Sequence, residues 1–124
     1  METGTGSLGE TFAHALGRKD FEAIKELLHP EVDFSGLTPL CSWRATSADQ
    51  VIENVLSQWF EPGDQLERVL DVQTGAFADC CRVGYRFAGH NDDGPFVVEH
   101  QAYYAERDGR IGWMRAVSSG FRPA

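Results

Sequence analysis

From Leu66 onward the chain is almost all strand. Leu66 to Ala76, Cys80 to Ala88, Phe96 to Arg107 and Arg110 to Gly120 are dense in Val, Tyr, Phe and other residues that suit a pleated, half-buried surface. The joints between them are Phe77-Ala78-Asp79, the longer Gly89 to Pro95 segment and Asp108-Gly109. None of these holds a helix, so the runs fold back on one another as an antiparallel meander. Asp108-Gly109 is the clearest hairpin signal, because a type I′ turn needs positive φ at both central residues.

Helical signals are confined to the first half. Ser7 with Glu10 makes an S-x-x-E capping pattern, followed by Leu8, Phe12, Ala15 and Leu16 at helical spacing, with Gly17 as a stop. Asp20 can cap a second helix that carries Phe21, Ile24, Leu27 and Leu28 on one face and ends at Pro30. Glu31 to Ser35 alternates around Val32 and Phe34 as a short strand, and a loop with Gly36, Pro39 and Trp43 follows. Ser47 with Gln50 opens a third helix, with Ile52, Val55, Leu56 and Trp59 on one face and Pro62-Gly63 at its end. Helices segregated from a meandering sheet predict an α+β fold over residues 1–124 as a single domain: three N-terminal helices packed on a curved, mainly antiparallel sheet. A long sheet curled under helices encloses an apolar cavity, and function would reside there.

Charge narrows the partners. Nineteen acidic residues against 11 basic ones give a net charge of −8, which repels phosphate backbones and anionic bilayers, so nucleic acid and membrane surfaces are poor partners. The three cysteines, Cys41, Cys80 and Cys81, offer neither a disulfide framework nor a metal-binding C-x-x-C spacing and suit a reducing cytoplasm. Met1 to Gly9 lacks the basic start and apolar core of a signal peptide, and no run is long enough to span a membrane. The expectation is a soluble cytoplasmic domain.

Three stretches carry a family likeness. Lys19-Asp20-Phe21-Glu22-Ala23-Ile24 is similar to the opening of the second helix in the nuclear transport factor 2-like superfamily, also called SnoaL-like or ketosteroid-isomerase-like. Leu28-His29-Pro30-Glu31-Val32 resembles that family's helix-to-strand corner, and Tyr104 to Ile111 resembles its closing hairpin. The resemblance implies a cone-shaped, cystatin-like α+β fold, a hydrophobic small molecule in the cone, no cofactor, and in many members a homodimer through the outer sheet face. Its best-known catalytic residues are absent at the matching positions. The oxyanion-hole tyrosine falls on Phe12, the general-base aspartate near Ser35-Gly36, the oxyanion-hole aspartate on Gln101, and the cyclase aspartate near Ser118-Ser119. Steroid isomerisation by that constellation is therefore excluded.

The same alignment turns Val97, Glu99, Gln101 and Tyr103 inward, with Val83, Tyr85 and Phe87 on the neighbouring strand and Met114, Ala116 and Ser118 on the last. Strand side chains alternate, so a one-residue slip exchanges every assignment and would bring His100, Tyr104 and Arg115 in instead. In the favoured register Glu99 moves a proton in an apolar cavity while Gln101 and Tyr103 orient or polarise a carbonyl or hydroxyl. In the alternative register His100 is the candidate base. Phe12, Trp43, Trp59, Tyr85, Phe87, Met114 and Ser118 are the expected substrate contacts. The opposite face would carry Arg82, Arg86, Phe96, Val98, His100, Tyr104, Trp113 and Arg115, an aromatic and arginine mixture that suits a homodimer interface. His14, about 200° around the helix from Phe12, faces solvent, His29 sits in a helix-ending step, and no His–carboxylate spacing suits a metal. The leading reading is a cofactor-independent cyclase, isomerase or dehydratase acting on a hydrophobic, cyclic or polyketide-like substrate. The alternative is a binding or dimerisation domain without chemistry.

Overall fold

The computed structural model describes residues 5–124. Helix α1 (Thr5–Gly17) buries Phe12, Ala13, Ala15 and Leu16 and leaves His14 exposed, as the spacing predicts. It is already helical at Thr5, so the Ser7–Glu10 pattern sits inside α1 rather than at its start. In α2 (Phe21–Leu27) the Asp20 carboxylate accepts the Ala23 backbone N–H at 3.2 Å, the expected cap. Leu28 ends that helix and begins β1 (Leu28–Thr38), which is longer than its alternation suggested. The ladder between β1 and its neighbour skips from Leu28 to Asp33, so Pro30, which has no N–H to donate, lies in the gap.

The segment read as a loop is a hairpin. β2 (Cys41–Ala45) pairs with β1 across a Pro39-Leu40 turn in which Leu40 adopts φ 67°. A leucine in the left-handed region is uncommon, and no Gly or Asn marked the turn.

The third helical element is composite. One α turn, α3 (Ala48–Gln50), runs into a π-helical stretch, Val51–Leu56, and closes with α4 (Ser57–Trp59). Ser47 Oγ accepts the Gln50 N–H at 3.1 Å, while the Gln50 side chain caps Thr46 N at 2.9 Å instead of Ser47 N. Ser47→Ala is expected to remove about 1 kcal/mol of stability, read as a lower urea midpoint with unchanged slope. The π geometry has a packing cause. Val51 and Leu56 are both buried, yet five residues on an α-helix places side chains about 140° apart. Bonding from i to i+5 brings them to the same side.

The sheet is completed by β3 (Gln65–Phe77), β4 (Cys80–Asn91), β5 (Gly94–Arg107), β6 (Arg110–Ser118) and the short β7 (Arg122–Pro123). Its order is β2-β1-β6-β5-β4-β3, with β7 beside β5. Every pairing is antiparallel except β1 with β6. At the β5–β6 hairpin Asp108 and Gly109 have φ of 54° and 77°, both positive as the turn reading required. The helices cover one face of this sheet, and the core between them holds Phe12, Leu16, Ile24, Phe34, Val55, Leu56, Phe87 and Met114. No helix among the described residues is long and apolar enough to cross a membrane.

The face of β5 is the main correction. Phe96, Val98, His100, Ala102 and Tyr104 are buried, while Glu99 is exposed and Val97, Gln101 and Tyr103 are half-buried on the outer side. The neighbours keep their expected faces: Val83, Tyr85 and Phe87 on β4, and Met114, Ala116 and Ser118 on β6, all point in. A bulge on β6 explains why β5 alone reverses. Counting back from the Asp108-Gly109 turn without interruption sets Tyr103 opposite Met114. The ladder instead steps from Glu106–Ile111 to Ala105–Trp113, leaving Gly112 unpaired, so that Tyr104 lies opposite Met114. One extra residue shifts the register by one and exchanges the two faces.

The outer face is correspondingly different. Phe96, Val98, His100 and Tyr104, four of the residues that would support a sheet-face homodimer, lie inside. Leu37, Val117 and Phe77 are among the apolar side chains that this side exposes instead, each over about half of its surface or more. Arg115 stays outside, stacked 4.4 Å over the Trp113 ring and paired with Asp33 at 3.3 Å.

Candidate functional site

Between the end of the third helical element and the inner face of the sheet lies a cavity of about 200 Å³. Its wall is largely aromatic, formed by Trp43, Trp59, Phe60 and Phe121, with Gln58, His100, Ser118 and Thr38 as polar groups. Each comes from a different part of the chain: Thr38 and Trp43 from the β1–β2 hairpin, Trp59 and Phe60 from the end of α4, His100 from β5, and Ser118 from the last residue of β6. His100 and Ser118 are direct cross-strand partners, so their shared face is fixed by the ladder.

His100 is the chemical centre of this wall. It is 1% exposed, with its ring 5.4 Å from Trp59, 5.6 Å from Phe60 and 5.1 Å from Tyr85. Burial among these rings disfavours the imidazolium and pushes the His100 pKa down from 6.5 to about 3. The side chain is therefore neutral at physiological pH. Its Nδ1 lies 3.0 Å from the Tyr85 hydroxyl, which is itself buried and whose pKa burial raises.

The tautomer follows from hydrogen-bond satisfaction. Tyr85 Oη has no other partner among the described residues. If Nδ1 carried the proton, the phenol O–H would be left buried without an acceptor, at a cost of about 1–3 kcal/mol. Tyr85 therefore donates to Nδ1, and the imidazole proton resides on Nε2, the nitrogen left for the cavity. The pair presents a neutral N–H donor.

The other polar wall groups are partly committed. Thr38 Oγ1 accepts the Trp43 indole N–H at 2.8 Å, and Ser118 Oγ accepts the Gly120 N–H at 3.1 Å, so each hydroxyl keeps its own proton to donate. No carboxylate lines the cavity among the described residues. Nor do three or more His, Cys, Asp or Glu side chains gather there or elsewhere among them in a metal-holding group.

The structure separates the sequence-predicted residues into three groups. Trp43, Trp59 and Ser118 line the cavity. Phe12, Phe87 and Met114 are core residues beside it, and Tyr85 reaches it only through His100. Glu99, Gln101 and Tyr103 lie on the opposite side of the sheet, which corrects their expected inward orientation. There Arg82 donates to Gln101 Oε1 at 3.0 Å and Gln101 donates to Glu99 at 3.1 Å, a polar ladder on the outer surface. Tyr103 packs against Phe77 at 5.0 Å on the same side. The inward residue of β5 at this level is the alternative, His100. Sequence reasoning did not identify Phe60 or Phe121. Both follow a recognisable signal by one residue, Trp59 at a helix end and Gly120 at a strand end.

No family model matches the sequence, and no characterised protein matches it as a relative. Solved structures do match its shape. A proposed isomerase from Bacillus subtilis superposes with a TM-score of 0.75 at 16% identity, over 93% of this chain and 86% of that one. A proposed polyketide cyclase from Pseudomonas putida gives 0.70 at 14% identity, over 90% and 89%. A nuclear transport factor 2-like protein from Burkholderia thailandensis gives 0.69 at 17% identity, over 97% and 93%. With helices across the inner face of a curled, mainly antiparallel sheet and a cavity between them, this chain has the nuclear transport factor 2-like fold, also described as SnoaL-like or ketosteroid-isomerase-like.

Proposed function

We propose that the chain is a small-molecule enzyme of the isomerase, cyclase or dehydratase kind whose cavity takes a compact, uncharged carbonyl compound. The observation that carries this reading is a buried, neutral His100 held in one tautomer by Tyr85 within an aromatic wall. A fixed N–H donor in a water-poor site stabilises charge as it develops on a carbonyl oxygen, and neutral imidazole is a known form of such an electrophile. Polarising the carbonyl acidifies the adjacent C–H, a step common to these three reaction types. His100 is too weakly basic to take that proton efficiently, so the proton passes to a group on the substrate or to water. The volume lies below the roughly 300–1,000 Å³ of pockets for drug-sized ligands, which favours one- or two-ring compounds.

A second reading, binding without turnover, is favoured by the absence of a carboxylate from the described wall. One experiment separates the two. α-Tetralone is titrated against the fluorescence of Trp43 and Trp59, and exchange of its α-protons with D2O is followed by NMR. Wild-type protein is expected to bind it and accelerate exchange, while His100→Phe weakens binding about 10-fold, the worth of one hydrogen bond, and abolishes the acceleration. Binding without accelerated exchange would select the second reading. Equal binding by wild type and variant would remove His100 from the site.

A further inference from the structure

On the outer side of the sheet the strand registers line up one transverse row of side chains. Arg82 pairs with Tyr103, Tyr103 with Arg115, Arg115 with Ser35 and Ser35 with Arg44, so the row runs from β4 to β2. Alternation along each strand gives all of them the same face. The next row on that face, two residues further along, sets Val117 beside Leu37, both about half exposed. A band of guanidiniums therefore borders an apolar pair.

A groove of about 480 Å³ follows these two rows, with Ser35, Leu37, Arg44, Tyr103, Arg115 and Val117 in its lining. It lies across the sheet from the cavity that holds His100. Its volume falls within the roughly 300–1,000 Å³ of pockets that take small molecules. No carboxylate lines it among the described residues.

The two arginines of the groove are held in place. Arg115 stacks on Trp113 at 4.4 Å, and its Nη1 donates to the carbonyl oxygens of Asp33 and Met114, each at 2.9 Å. Arg44 Nη1 donates to Ser35 Oγ at 3.2 Å. Both guanidiniums also converge on Asp33 Oδ1, Arg115 at 3.3 Å and Arg44 at 3.6 Å, and that oxygen is buried. One carboxylate against two guanidiniums leaves a positive charge uncompensated, beside apolar surface. A guanidinium already fixed by packing and by other bonds takes a further anion with little added ordering.

We propose that this groove binds a small monoanionic amphipath, an aromatic carboxylate whose charge sits on Arg44 and Arg115 and whose rings lie on Leu37 and Val117. The span fits, because two residues along a strand cover about 7 Å and a carboxylate joined directly to a fused ring system reaches both rows. The net charge of −8 limits how much charge the ligand carries. Repulsion from the whole molecule grows with every negative charge on the partner, so it weighs on polyanions and acidic proteins. A monoanion instead feels mainly the local arginine pair at contact distance. A second copy of the chain brings the same net charge and the same arginine row. The proposal is independent of the inner cavity, whose ligand is uncharged.

The test titrates 2-naphthoate and its uncharged counterpart 2-naphthamide against methyl-labelled protein, followed by NMR. Naphthoate is expected to shift the Leu37 and Val117 methyl signals saturably and to leave those of Val98, which lines the inner cavity, in place. Naphthamide is expected to bind about 10-fold more weakly, and Arg44→Gln to bring the two affinities together by removing a charge-assisted hydrogen bond. The Arg44 side chain is exposed, so this substitution leaves the core intact. Equal affinity for acid and amide in wild-type protein, an unchanged preference in Arg44→Gln, or shifts confined to Val98 overturns the proposal. Leu37 and Val117 signals that do not respond to naphthoate overturn it too, and if they move with protein concentration instead, the face belongs to a second copy.

Discussion

Acidification from pH 6.5 toward 3 is expected to remove on the order of 4–5 kcal/mol of stability through His100 alone, at about 1.4 kcal/mol per pH unit. In the unfolded chain this imidazole takes up a proton near its ordinary pKa of 6.5, whereas in the folded protein it resists protonation until about 3. Throughout that window the unfolded state binds the extra proton and is favoured by it. The contribution is fully present above pH 6.5, falls steadily below it and is lost near 3, where both states are charged. Urea unfolding followed by tryptophan fluorescence at half-unit pH steps measures the slope. Carboxylates titrate in the same range, so the informative quantity is the difference between wild type and His100→Phe. The variant leaves the Tyr85 hydroxyl without a partner and starts lower at neutral pH, by about 1–3 kcal/mol. Its curve should nevertheless be flatter, with the two lines converging or crossing in acid. Parallel lines would mean that His100 is not buried as a neutral ring.

Gly89→Ala is expected to cost about 3 kcal/mol, the upper end of the range for forced overpacking. Gly89 lies opposite Leu66 in the β3–β4 ladder, next to a register irregularity between Leu66 and Arg68. A Cβ at Gly89 would overlap the carbonyl oxygen of Gln65, a backbone atom that no rotamer change can move aside. The strands must separate locally, and pairings near the start of β3 are lost. Gly63→Ala is the matching control, since a Cβ there meets nothing within 4 Å and its effect should stay within about 0.5 kcal/mol. Urea midpoints of the two variants, measured side by side, decide the matter. Similar midpoints would show that β3 and β4 do not approach as closely at this point as the structure has them.

The residues differ in how much of this they disclose in advance. Period and turn chemistry are local, and they were enough for α1, α2, the four long strands and the Asp108-Gly109 turn. The β1–β2 hairpin was hidden because its turn uses Leu40 where a glycine would have announced it. The site failed at one point for one reason. Faces on β4 and β6 were legible from alternation, but the face of β5 depends on how the strands pair, and the Gly112 bulge resets that pairing. Glu99 and Gln101 were candidates because the family alignment turned them inward, while their outward orientation is a property of the sheet. His100 carried the opposite ambiguity. Its place as the one histidine within the strand runs read from the sequence was visible, but the Tyr85 partner that sets its tautomer sits across a strand pair 15 residues away.

The π-helical stretch Val51–Leu56 has a consequence best stated in genetic terms. Each residue added to or removed from a helix turns everything after it by about 100°. The residues before this stretch anchor the helix through the Ser47 cap, and those after it bring Trp59 and Phe60 over His100. Scaffold and binding wall therefore occupy separate phases of one helix, joined where the phase is adjustable. Removing one residue from this stretch would return its i→i+5 bonds to i→i+4 and leave the flanking turns in phase, so a one-codon deletion here is expected to keep both the anchoring turn and the two rings over the sheet.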